Sequence, residues 1–219
     1  MDQIIKMAID RLNSNLPLFL RQQALPEKWQ SLHRAILDSL ARNNRVPEYA
    51  EMEKITGVED LDLAIQRLAS DDLVVLDATG KQIVGAYPMT VEDTPHHLRI
   101  NGNPINAMCA LDAVSVAPMF GADVEIDSRC HVTLENIHIH QNGQELIEAL
   151  PSRDIHIGVR WQNPGSCAAH SICLEMVFLK GRDTALEWQK DDPENMSIFS
   201  LSEAILFGSG IFNPLVPAS

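Results

Sequence analysis

Cys109 and Asp112 stand three residues apart in the segment Met-Cys-Ala-Leu-Asp. On a helix that spacing puts a thiol and a carboxyl on one face, within reach of a shared proton or a shared substrate. Their neighbours Ala107, Met108, Ala110, Leu111, Ala113 and Val114 are apolar, and a carboxyl in such surroundings is costly unless it is partnered or functional. Cys173 lies in a second apolar run, Ser171-Ile-Cys-Leu-Glu-Met-Val-Phe-Leu. Each residue also has a plain reading. Asp112 would cap a local turn, and both cysteines would be small buried hydrophobes, because free cysteine is among the most buried residue types. Taken singly, the plain reading is the better one for all three.

The remaining cysteines are Cys130 and Cys167. Cys167 follows Pro164-Gly165-Ser166, a loop sequence that predicts more exposure. His138 and His140 have strand spacing and would point to one face. With Cys130 and His131 they make up the residue types of a zinc site, but only the two histidines have orderly spacing, and a solvated strand face is the simpler account. No CxxC, GxGxxG or GxxxxGK[ST] occurs, which withholds support from zinc-ribbon, thioredoxin-like, dinucleotide and P-loop readings.

The 219 residues are 45% hydrophobic and 21% charged, enough to bury a core in one large domain or two small ones. The first 20 residues are no signal peptide, because Asp2, Lys6, Asp10 and Arg11 interrupt apolar residues that recur at helical spacing. No segment is long and apolar enough to span a bilayer. The expectation is a cytoplasmic protein with reduced thiols and no membrane partner. Thirty acidic against 17 basic residues give a net charge of −13, a surface that repels nucleic acid and anionic lipid.

Helical periodicity marks residues 30–42, a short helix over 47–55 ended by Thr56-Gly57, and a third helix through Leu61, Ala64, Ile65 and Leu68. Apolar runs at 73–76 and 83–87 flank Asp77-Ala-Thr-Gly80, a hairpin signal. This is the layout of a winged helix over residues 1–90. Its third helix, which would enter a DNA groove, carries Glu59, Asp60 and Asp62 with only Arg67 as a base. That is the wrong sign for DNA, so a scaffold is expected.

From residue 91 to 106 the chain turns polar and Pro/Gly-punctuated. Beyond it, residues 107–117 read as a helix stopped by Pro118. Strands are expected at 132–140, 155–161 and 172–179, with short helices at 184–190 and 202–207, the last followed by Gly208-Ser-Gly210. The predicted class is α+β. A winged-helix-like helical domain (1–90) precedes a mixed α+β domain with mainly antiparallel strands (91–219).

The segment from Asn106 to Pro118 resembles the part of the organomercurial (alkylmercury) lyases that carries their first catalytic cysteine and aspartate, with Cys109 and Asp112 on those positions. Ser171-Ile-Cys173, followed by Val177-Phe-Leu179 and Glu187-Trp188, is similar to the family's strand with the second catalytic cysteine. Ser128-Arg-Cys130 resembles the segment with a third, structural cysteine. Glu203-Ala204 and Phe207-Gly-Ser-Gly210 match the closing pattern. Met108 departs from the Trp often found there, Leu174 from a second Cys, and residues 131–135 from a Gly.

The resemblance implies a catalytic domain over 91–219 that breaks a carbon–mercury bond. Cys109, Asp112 and Cys173 would hold mercury as substrate and product. No resident cofactor is implied, external thiols support turnover, and Hg²⁺ passes to mercuric reductase or small thiols. Soft thiolates suit a soft cation, and a carboxyl kept protonated by apolar surroundings can protonate the leaving carbon. Two other classes compete: a thiol protein that only sequesters soft metals, and a metal-sensing winged-helix regulator. Asp112 counts against the first, and the acidic third helix against the second.

Overall fold

The computed structural model describes residues 3–56, 60–162, 165 and 167–216. Gly57, Glu59, Pro164 and Ser166, which figured in the turn, charge and loop expectations, lie outside them.

Five helices come first: α1 (Gln3–Asn15), α2 (Leu18–Gln23), α3 (Glu27–Asn43), α4 (Tyr49–Thr56) and α5 (Leu61–Ser70). Their apolar spacing is what buries them. Ile5, Ala8 and Leu12 form the inner stripe of α1, and Leu32, Ile36, Leu37 and Leu40 that of α3. The Asp60 side chain caps α5 by accepting the Leu63 N–H at 3.0 Å. The expected wing follows as β1 (Val75–Leu76) and β2 (Ile83–Ala86), an antiparallel pair. Asp77 holds its turn, accepting from the backbone N–H groups of Lys81 and Gln82.

The strands continue as β3 (Met89–Thr90), β4 (His97–Ile100), β5 (Asn103–Ala107), β6 (Asp123–Arg129), β7 (Asn136–Asn142) and β8 (Glu145–Leu150). With the wing they make one eight-stranded antiparallel sheet in the order β1-β2-β3-β5-β4-β6-β7-β8. The sheet passes residue 90 without a break, since Met89 pairs with Ala107 and Thr90 with Asn106. A second antiparallel sheet has β9 (Ile155–Arg160) between β10 (Met176–Lys180) and β11 (Met196–Ser200). The other helices are α6 (Ala110–Phe120), α7 (Arg182–Gln189) and α8 (Leu201–Phe212). The class is α+β, with a helical N-terminal part and antiparallel sheets.

Helix α6 is the centre of the core. It touches β5, β6 and β7 of one sheet, β10 of the other, and runs along α8. Nine of its eleven residues are buried, so it is apolar all round rather than amphipathic. Pro118 does not stop it. A proline in a helix forfeits the hydrogen bond to the carbonyl four residues back, which is Val114. The buried Gln141 of β7 supplies a donor to that carbonyl at 3.3 Å. The helix ends instead at Gly121, in the left-handed conformation (φ 58°).

Three other expectations are corrected. Helix α8 runs through Gly208-Ser-Gly210 to Phe212, because those glycines are close-packing positions rather than a stop. A Cβ on Gly208 would overlap the Ser115 hydroxyl of α6, and one on Gly210 would overlap Ile9 of α1. Strand β7 begins at Asn136, after a turn over residues 131–133. The run 172–179 is not one strand: residues Ile172–Glu175 form a 3₁₀ turn before β10.

Gly208→Ala should therefore destabilise the protein by about 1–3 kcal/mol through overpacking. Thermal unfolding should show Tm lowered by roughly 2–4 °C per kcal/mol for a chain of this size. An unchanged Tm would mean that α6 and α8 can separate without cost.

Candidate active site

The backbone of Cys109 is extended (φ −152°, ψ 178°), and the residue is the N-cap of α6 rather than part of it. Its Sγ accepts the Asp112 N–H at 3.3 Å, occupying the place a Ser or Asp usually takes at a helix start. The three-residue spacing seen in the sequence is thus an N-cap to third-residue spacing. It folds the carboxyl of Asp112 back towards the thiol.

Cys173 arrives from the other side on the 3₁₀ turn. Its Sγ lies 3.9 Å from Asp112 Oδ2. One ligand atom each from Cys109, Asp112 and Cys173 lies within 4.8 Å of the other two, and all three residues are buried. Among the described residues this is the one cluster of three or more His, Cys, Asp or Glu side chains that close. The Met176 Sδ lies 3.7 Å from Cys109 Sγ, adding a third sulfur.

The loop before Cys173 is fastened by residues that sequence reading missed as a pair. Asp72 accepts the Ala168 N–H at 3.0 Å and the Tyr87 hydroxyl at 3.1 Å. The Tyr87 oxygen in turn accepts the Ala169 N–H at 2.6 Å. Ser171 Oγ donates to the Cys167 carbonyl at 2.8 Å. In the sequence Asp72 stands simply as one of two acidic residues after the third helix. The available signal was a carboxylate and a tyrosine at the edges of apolar runs, where burial demands partners.

Burial governs the electrostatics. It raises the Asp112 carboxyl to about 7, against the pull of hydrogen bonds from Cys109 and Cys173. Burial also drives the Cys109 thiol well above its ordinary value, helped by its bond to Cys173 and the charge of Asp112. For Cys173 the bond with Cys109 pulls down, but burial and the Asp112 charge outweigh it, and the thiol is raised. At neutral pH the cluster holds both thiol protons and a carboxyl near the midpoint of its titration.

A groove of about 1080 Å³ opens beside the cluster. Of the three residues only Cys173 lines it, together with Met108, Met176, His96 and Phe178 among others. Met108 packs against Gly85, where a Cβ would come within 2.6 Å of its methyl carbon.

The other candidates fall elsewhere. Cys130 Sγ accepts the N–H groups of Thr133 (3.4 Å) and Lys180 (3.3 Å), tying the end of β6 to β10. Burial alone would raise this thiol, but those hydrogen bonds outweigh it and hold it below its ordinary value. His138 and His140 share a face of β7 as expected, and each pairs across the sheet with an aspartate, Asp127 and Asp123, at 2.8 Å. They do not converge with Cys130 and His131. Cys167 is half-buried, 3.8 Å from the Tyr87 hydroxyl. On α5, Arg67 is taken by Asp71 at 2.6 Å, so the helix that would face DNA offers no free base among the described residues. No helix among them is long and apolar enough to cross a membrane.

Residues 89–213 match the family model described as alkylmercury lyase. The chain is 27% identical over 191 residues to an alkylmercury lyase of Staphylococcus epidermidis, covering 87% of this chain and 84% of that one. With an alkylmercury lyase of Bacillus cereus it shares 29% over 183 residues, 83% and 79% of the two chains. The fold is also that of a solved structure titled "Crystal structure of the mercury-bound form of MerB2", with a TM-score of 0.76 at 22% identity over 93% of this chain and 100% of that one.

The raised Asp112 has a signed consequence for stability. Between the unfolded carboxyl value of about 4 and the folded value of about 7, the folded protein binds the extra proton, so stability falls as pH rises through that window. His33 and His96, both lowered to about 4 by burial, act in the opposite direction. Denaturant titrations of Asp112→Asn alongside the parent isolate the first effect. The parent should lose stability relative to the variant from pH 4 to pH 7, and a constant difference would contradict a protonated Asp112.

Proposed function

This chain belongs to the alkylmercury lyase family, and on that premise we propose that Cys109, Asp112 and Cys173 are the groups with which it cleaves the carbon–mercury bond of R–Hg⁺. The observation that carries this reading is the buried contact of two thiols with one carboxyl that is still titrating near neutrality.

The steps follow from placement. Cys173 faces the groove, so it meets the mercurial first. Its sulfur replaces the ligand on mercury, and its proton leaves with that ligand. The carboxylate of Asp112 takes the proton of Cys109. The resulting thiolate sits at the N-terminus of α6, accepting the Asp112 N–H, where the helix dipole favours negative charge. Two soft thiolates on the soft cation make the organic group carbanion-like. Asp112 then returns its proton to that carbon. The hydrocarbon departs, and Hg²⁺ remains bridged by Cys109 and Cys173 with Asp112 ionised beside it.

Release requires two incoming thiols, which return the protons to the cysteines. Small thiols or a mercuric reductase would serve as acceptors. The cytoplasm is the compartment that suits the reaction, because both cysteines must be reduced.

The test is incubation with methylmercury or phenylmercury under excess thiol, with methane or benzene measured. Cys109→Ser and Cys173→Ser should fall to background. Asp112→Asn should keep mercury binding but lose roughly 10²–10⁴-fold in hydrocarbon release, the usual weight of a general acid. Tight mercury binding by the parent without hydrocarbon would leave only a sequestering protein.

A further inference from the structure

The groove beside Cys173 is far larger than the reaction requires. Pockets for drug-sized ligands span about 300–1,000 Å³, and this one is about 1080 Å³, whereas methylmercury has two heavy atoms. A soft cation such as R–Hg⁺ is carried in a thiol-rich solution on a thiolate. The molecule that arrives therefore has two halves, and the groove has room for both.

The lining contains polar groups that the protein itself leaves open. Arg129 is exposed at the end of β6, and its side chain makes no hydrogen bond or ion pair among the described residues. Asp93 likewise has no partner there, while the other carboxylate on the wall, Asp127, is held by His138. His96 has its Nδ1 engaged by Ser128 Oγ at 2.8 Å, and its Nε2 lacks a partner among the described residues. Among the described residues the wall thus offers one unpaired cation, one unpaired anion and several free histidine ring nitrogens, His96 Nε2 among them. In a chain of net charge −13, an unpaired guanidinium in the lining of the same groove as Cys173 is a local exception to the overall field.

We propose that the groove recognises the thiol carrier, and that the substrate is the mercury adduct of an amino-acid-type thiol, R–Hg–S–R′, whose carboxylate is met by Arg129. Asp93 is the groove's counterpart for the carrier's ammonium group. The transfer step balances as a ligand exchange. The mercury–sulfur bond to the carrier breaks, a mercury–sulfur bond to Cys173 forms, and the Cys173 proton leaves on the carrier thiol. Nothing is oxidised or reduced. This rests on the lyase reading for the step that follows but not for the exchange itself.

The experiment presents phenylmercury as preformed adducts of four thiols: cysteine, 3-mercaptopropionate, cysteamine and 2-mercaptoethanol. Loading of mercury onto the protein is followed by rapid quench and mass spectrometry, and benzene release is followed separately. The parent should load from the cysteine and 3-mercaptopropionate adducts roughly 3–10-fold faster than from the 2-mercaptoethanol adduct, the scale of one partly exposed charge-assisted contact. This preference would run against the net charge of the protein. Arg129→Gln should bring the ratio to about one, and Arg129→Lys should keep part of it. Comparing ratios between parent and variant cancels the intrinsic mercury affinity of each thiol. A parent ratio near one, or a ratio unchanged in Arg129→Gln, overturns the proposal. Absence of benzene from every adduct would instead overturn the lyase reading, while the loading rates still decide on the carrier.

Discussion

A carboxyl sealed in apolar surroundings with two thiols stays uncharged only by keeping its proton, and the rest of the site follows from that constraint. Asp112 is acted on by two sulfurs and one backbone N–H, none of which carries a positive charge. Its acidity is consequently weakened into the neutral range, where it can both accept and return a proton. The thiols beside it are discouraged from ionising for the same reason. Such a cluster, with two soft sulfurs and a single carboxyl, is poorly matched to hard cations. It is suited to a ligand that can displace a thiol proton outright, as a soft metal does.

Holding the three groups together takes a buried helix that cannot tilt. Helix α6 is wedged between two sheets and α8, and its contact with α8 depends on the missing side chain of Gly208 against Ser115. Gln141 mends the hydrogen-bond gap that Pro118 opens at Val114. These devices lie remote from the sulfurs, yet they set the direction in which the first turn of α6 points. The N-cap geometry of Cys109 is the output of that packing.

Much of this was legible in the residues. Helical periodicity located α3 and α5, the Asp77-to-Gly80 turn located the wing, and the charge of α5 argued against DNA. Cys109, Asp112 and Cys173 emerged from chemistry joined to a family pattern, since each alone reads as core. What escaped were features decided by tertiary contact. Pro118 and Gly208-Ser-Gly210 look like helix stops because local propensity cannot see a Gln141 from another strand or an α6 that needs the glycine's space. The run holding Cys173 has strand composition, yet the loop fastened by Asp72 and Tyr87 bends its first half into a 3₁₀ turn. The paired histidines of β7 share one strand face as their spacing predicts, but spacing does not reveal the aspartates across the sheet that engage them.

The grip of Asp72 and Tyr87 on residues 168 and 169 also bears on how such a chain can be inherited. Asp72 closes the helical part and Tyr87 sits just beyond the wing, while the backbone they hold lies 96 and 82 residues on. A recombinant that joined the first part of one relative to the second part of another would have to receive both ends of this grip in matching form. The unit that heredity must preserve is therefore a contact between distant stretches of chain. A crossover falling at the apparent seam near residue 90 would cut through it.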